Sequence, residues 1–144
     1  DGFDTHAAQG KEDGLLADQL EDIDSILKTL KENLKDSFKN TLILTLTEFG
    51  RTIRQNGGNG TEHGWGGAIL MAGGLLKKSQ VYADWPGLKK GDLYEGRDLK
   101  STTDARSVYM SAMATCFDLE PEKIKKEVFW NENLQDLSQI LFNS

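Results

Sequence analysis

Thr41-Leu42-Ile43-Leu44-Thr45-Leu46-Thr47, the stretch TLILTLT, decides how this chain is read. Every residue in it is β-branched or apolar, and seven of them suffice for one buried strand. Ahead of it Leu15, Leu16, Leu20, Ile23, Leu27, Leu30 and Leu34 recur at three- and four-residue steps up to Lys35, with Asp, Glu and Lys between them. That spacing predicts an amphipathic helix. Its acids Glu21, Asp22 and Asp24 precede its lysines Lys28, Lys31 and Lys35, the order that the helix dipole favours, and these charges are expected in solvent. Asn40 breaks the helix. A helix feeding a buried strand is the signature of an α/β unit.

Downstream, Asn56-Gly57-Gly58-Asn59-Gly60 reads as a flexible loop. Gly67-Ala68-Ile69-Leu70-Met71-Ala72 reads as a second buried strand, closed by Gly73-Gly74. Gln80-Val81-Tyr82 fits a short strand, and Trp85 to Lys100, with Pro86, Gly87, Gly91 and Gly96, an irregular connection. Asp104 begins a helix through Phe117 whose apolar face is Val108, Met110, Met113, Ala114 and Phe117, with Thr102 or Thr103 as a cap. Pro121 opens a short helix at the position where proline costs least. Leu134 to Phe142 packs onto the same core. The sequence contains neither an internal repeat nor a low-complexity tract.

At 144 residues the chain is expected to form one domain, burying roughly two thirds of its unfolded surface. Its formal charge of −6, with no dense block of Lys or Arg, argues against nucleic acid or an anionic membrane as partner. No run of about 20 apolar residues is present, so no transmembrane segment is expected. Cys116 is the single cysteine, which excludes an intrachain disulfide and a thiolate metal cluster. It lies among apolar residues of the Asp104–Phe117 helix and is read as core. The first residues carry no start Met and no charged-then-apolar leader, and the chain opens inside a motif, as a cut beginning would.

That motif is Gly2-Phe3-Asp4-Thr5-His6-Ala7-Ala8-Gln9. In an extended segment Asp4 and His6 point to one side, so a carboxylate and an imidazole can share an ion. Glu48 follows the apolar run Thr41 to Thr47, at the carboxyl end of a strand, where open α/β sheets bind their ligands. The glycine-rich loop then delivers Glu62-His63-Gly64, and Gly64 lets backbone approach a ligand closely. Asp4, His6, Glu48 and His63 together form a ligand set suited to zinc or manganese, with calcium a further choice. Each histidine taken alone reads as a hydrogen-bonded structural residue, and the residues leave both readings standing.

GFDTHAAQ, LILTLTEFGRTIRQN, GTEHGWGGAILMAGG and TTDARSVYMSAM, in this order from Gly2 to about Phe117, resemble the carboxyl-terminal part of the bacterial family DUF1501, which is sulfatase-like and similar to the alkaline phosphatase superfamily. The resemblance implies an α/β fold: a mostly parallel sheet flanked by helices, with one or two divalent ions at its carboxyl edge. It implies that Asp4, His6 and His63 hold one ion and that Glu48 holds or borders a second. This sequence departs from the superfamily in the close spacing of Asp4 and His6. It also has Phe49 where a second-metal histidine would stand, and Glu62 where family members carry Asp. These departures bear on the second ion.

The superfamily's nucleophile, a Ser, Thr or modified Cys, belongs to an amino-terminal half outside this chain, and Cys116 is no substitute. The resemblance therefore implies part of a metal-dependent hydrolase of small phosphate or sulfate esters. The alternative is a non-catalytic binding or assembly module on the same scaffold. In the hydrolase reading Arg51 binds an ester oxygen through its forked donors; otherwise it pairs with Glu48 or Glu62. Asp104, beside Thr102 and Thr103, reads as a helix start, and Trp65 as a pocket wall, a core residue or part of an interface. An exposed sheet edge would favour a homodimer. Family members are exported, which implies a periplasmic location. Accidental motif matches would instead leave His6 and His63 far apart.

Overall fold

The computed structural model describes residues 2–143. Its helices fall largely where the periodicity puts them. α1 spans Leu15–Leu34 and ends where Lys35 turns left-handed, at φ 48°, into a 3₁₀ turn through Asn40. No residue of α1 is fully buried, so its apolar stripe is only partly covered. α2 runs Ala105–Phe117, α3 Pro121–Val128 and α4 Ser138–Leu141. The Asp104 carboxylate accepts from the Arg106 backbone N–H and so caps α2 itself, in place of either threonine. Pro121 opens α3 as expected.

The strands correct the sequence reading. Among the described residues there are four two-residue strands: β1 Ile43–Leu44, β2 Gly50–Arg51, β3 His63–Gly64 and β4 Met71–Ala72. They form two separate antiparallel pairs, with Ile43 opposite Ala72 and Leu44 opposite Met71 in one, Gly50 opposite Gly64 and Arg51 opposite His63 in the other. Among the described residues there is no parallel sheet, and the expected mostly parallel, alkaline-phosphatase-like α/β architecture does not hold. The reason lies in the connection. Parallel neighbours are usually joined by a crossover helix, whereas the chain between Thr47 and Gly67 holds no helix and folds back on itself through the β2–β3 pair and its glycine-rich loop. The two runs expected as strands do pair, β1 with β4, but the chain returns in the opposite direction. Regular pairing stops early: Leu46 is 77% exposed. Gln80-Val81-Tyr82 forms no strand, and Val81 is 92% exposed.

The chain gathers into two compact units. One comprises the amino-terminal stretch through Asn33, then Leu46–Ala68 and Asp84–Thr102. It holds the β2–β3 pair and, apart from its last residue, α1. The other comprises Leu34–Thr45, Ile69–Ala83 and the stretch from Thr103 onward, and it holds β1, β4 and the remaining helices.

The second unit contains the better-formed core. Val108, Ala112, Leu137, Leu141 and Phe142 are buried together, with Leu42, Leu44, Ile69, Met71 and Leu76 packed on them. Met110, Ala114, Ile124 and Leu134 form a neighbouring cluster. The segment Leu134 to Phe142 thus packs as its sequence predicts. Two polar residues, Ser107 and Ser111, stitch this core: the buried Ser107 hydroxyl accepts from the Gln135 backbone N–H at 2.9 Å. Ser111, fully buried, donates from its hydroxyl to the Ser107 carbonyl at 2.7 Å and accepts from the Leu137 backbone N–H at 2.8 Å. Cys116 departs from the core reading: it is exposed, on the side of α2 shared by Tyr109, Met113 and Phe117, and the partial burial there pushes its thiol pKa up. No helix among the described residues is long and apolar enough to cross a membrane.

Candidate metal centre

Two backbone pairings in the first unit assemble the site. β3 sets His63 opposite Arg51, and a bridge between Ala7 and Asn59 lays the opening motif along the glycine-rich loop. The approach is close. A Cβ on Gly60 would lie 2.3 Å from the His6 carbonyl carbon, and one on Gly64 would lie 2.5 Å from that of Arg51. Glycine is therefore required where the loop lies against the motif.

The side chains converge on Asp4. His6 Nε2 lies 3.0 Å from Asp4 Oδ1, and His63 Nε2 lies 3.1 and 3.2 Å from the two carboxylate oxygens. Arg51 donates from Nη1 to the same Oδ1, from Nη2 to the Thr61 carbonyl, and from Nε to the Thr61 hydroxyl at 3.0 Å. The His63 ring stacks on Phe49 with centroids 3.8 Å apart. His6 Nδ1 meets Glu62 Oε2 at 2.8 Å, and Asn56 donates to the other Glu62 oxygen. Beneath, the buried Thr5 and Thr61 hydroxyls both donate to Gln9 Oε1 at 2.8 Å. Partial burial acts to raise the Asp4 pKa, but hydrogen bonds from His63 and Arg51, with the nearby His6, outweigh it and hold the carboxyl below its usual range. Hydrogen bonds from Asn56 and His6 hold Glu62 low as well.

Of the residues singled out in the sequence, Asp4, His6 and His63 come together. Their ligand atoms all lie within 4.8 Å of one another. Glu48 does not join them: it is exposed and outside that group. Arg51 pairs with Asp4, where the sequence offered Glu48 or Glu62. Trp65 is 60% exposed and stacks on Tyr94, centroids 5.1 Å apart. Asp104 acts as a helix cap, ion-paired to Arg106. Several participants, Thr5 and Thr61 among them, were not read from the sequence as part of the site. Gln9 gave no signal. Glu62 stood out as the neighbour of His63, as an alternative partner of Arg51 and as a departure from the family, but not as a partner of His6. Asn56 read as a loop former, and it is one: its Oδ1 accepts from the Gly58 and Gly60 backbone at 2.9 and 3.0 Å. Asn ahead of Gly-Gly-Asn-Gly is an Asx-turn signal, and its spare amide N–H groups are what reach the site.

The donor set fits a divalent transition ion. Ligand bonds near 2 Å in a tetrahedron put neighbouring ligand atoms about 3.3 Å apart, close to the nitrogen–oxygen separations here. An ion held by two imidazoles and one carboxylate would keep a fourth position for water or another ligand. The arrangement is an exposed Asp-His-His cluster, with Asp4 and His6 in the opening motif and His63 in β3, bordered by Arg51. The chain belongs to the family described as "Protein of unknown function (DUF1501)", whose model matches residues 1–128. Comparison with curated proteins and with solved structures found no match.

Proposed function

We propose that Asp4, His6 and His63 hold one divalent ion, zinc or manganese before calcium, in a site that takes small phosphate or sulfate esters. The observation that carries this is the turning of two histidine Nε2 atoms onto one carboxylate. Imidazole nitrogens favour zinc over calcium, which prefers an all-oxygen shell. An ion held there would supply Lewis-acid charge to polarise an ester oxygen.

The chain's own residues do the rest. Arg51 spends three of its five N–H donors on Asp4 and Thr61, leaving two on its outer nitrogens for an anionic oxygen. His63 is held in orientation by the Phe49 ring beneath it. Thr5 and Thr61 donate to Gln9, so their hydroxyls brace the site rather than attack a substrate. The test is release of a chromogenic phosphate or sulfate ester by the full-length protein with zinc, manganese or calcium. Metal-dependent turnover that disappears in Asp4→Ala supports hydrolysis.

One observation favours a second reading, a non-catalytic binding or assembly module. The guanidinium of Arg51 already neutralises Asp4, so the cluster is electrostatically satisfied as a structural network. Silence with every metal, from a protein that still binds the ion, favours this module.

A further inference from the structure

We infer that Glu62, clamped by Asn56, is a positioning residue that fixes the tautomer of His6 and aims its Nε2 at the Asp4 carboxylate. This rests on the metal reading proposed above and adds the residues that preset the site.

His6 faces two carboxylates, Glu62 at Nδ1 and Asp4 at Nε2, at 2.8 and 3.0 Å. A neutral imidazole carries one N–H, so one of these contacts sets a lone pair against carboxylate oxygen. Such a contact is favourable only when a proton or a metal ion lies between the two atoms. Asp4 already receives the Arg51 guanidinium, whereas the second oxygen of Glu62 is held by Asn56 alone among the side chains around it. In the neutral ring the His6 proton therefore belongs on Nδ1, facing Glu62, and the lone pair on Nε2 faces the point where Asp4 and His63 meet, where an ion would lie. This is the carboxylate–histidine–metal arrangement, in which the outer carboxylate orients the ring and raises its basicity as a ligand.

Asn56 makes the arrangement rigid. Its amide Nδ2 donates to the His6 carbonyl at 2.8 Å and to Glu62, so one side chain fastens both the histidine's backbone and the carboxylate that orients its ring. Its Oδ1 meanwhile holds the turn through Gly58 and Gly60. The Glu62 backbone N–H is tied in turn to the Thr52 hydroxyl at 3.1 Å.

The test uses two readouts. Nitrogen-15 NMR of the metal-free full chain reports which His6 nitrogen carries the proton, and a competitive titration against a chromogenic chelator reports zinc affinity. Recorded at a pH where the ring is neutral, the Nδ1–H tautomer is expected in the wild type and is lost in Glu62→Ala. Zinc affinity is expected to fall about 10- to 100-fold in Glu62→Ala and to be largely kept in Glu62→Gln, whose amide oxygen still accepts from Nδ1–H. An Nε2–H tautomer in the wild type, or zinc affinity equal in Glu62→Ala and wild type, overturns the assignment. A chain that takes no zinc refutes the metal reading alone, because the tautomer of the metal-free chain still decides the role of Glu62.

Discussion

His6 and His63 lie with ring centroids 5.0 Å apart and planes tilted by 46°, each turning its Nε2 to the same Asp4 carboxylate. One histidine comes from the opening motif and the other from β3. They meet because the loop between β2 and β3 folds back along residues 5–9, pairing the Thr61 N–H with the Thr5 carbonyl at 3.1 Å and the Ala8 N–H with the Gly58 carbonyl at 3.0 Å. Motifs matched by accident would have had no reason to converge.

The acid behaviour of the site follows from its two depressed carboxylates. Asp4 and Glu62 have folded pKa values below their ordinary ones, so their contribution to stability is present above the unfolded carboxylate range, near about pH 4, and is lost as pH falls through the folded values. Carbon-13 NMR of the side-chain carboxyls should show both groups titrating below reference peptides, and Arg51→Gln should move Asp4 upward. An Asp4 that titrates at or above the reference in the wild type contradicts this.

Gly60 and Gly57 make a paired test of the loop. A methyl at Gly60 collides with the backbone of Thr5 and His6, whereas one at Gly57 meets nothing within 4 Å. Gly60→Ala is expected to cost about 1–3 kcal/mol in chemical denaturation, the range for forced overpacking. Gly57→Ala should be close to neutral. Equal stability of the two variants would show that the motif does not lie against the loop.

In the second unit Leu137 is completely buried, and its backbone N–H is satisfied by the Ser111 hydroxyl. Leu137→Ala should destabilise by about 2–5 kcal/mol through lost burial and the cavity left behind. Ser111→Ala should cost about 1–3 kcal/mol, because a buried donor loses its partner. Urea titrations of both variants measure these values; a neutral Ser111→Ala would mean that water or another acceptor replaces the hydroxyl.

The helices were legible because their signals are local. The three- and four-residue recurrence from Leu15 to Leu34 and the proline at 121 depend on nothing distant. Strand direction was not legible. TLILTLT and GAILMA announce that they pair, but no property of either run states whether the partner arrives parallel or antiparallel, and only the helix-free return between them carries that information. Glu48 illustrates the consequence. Its place at a ligand-bearing strand end presumed a long strand in a parallel sheet, while the ladder ends at Leu44 and Glu48 faces solvent. Cys116 was misplaced because apolar neighbours on a helix do not reveal where the last turn leaves the core. The grouping of Asp4, His6 and His63 was legible from histidines set beside carboxylates and glycines. Gln9 and Asn56 were hidden because their roles are made by contacts across more than 40 residues of chain.

The central claim is that Asp4, His6 and His63 share an ion, and calorimetric titration of metal-stripped protein with zinc and with manganese tests it most directly, run beside the His6→Ala, His63→Ala double variant. Binding near one equivalent is expected in the wild type and none in the folded double variant. A well-folded wild type that takes up neither metal, or a double variant that binds as tightly, would contradict it.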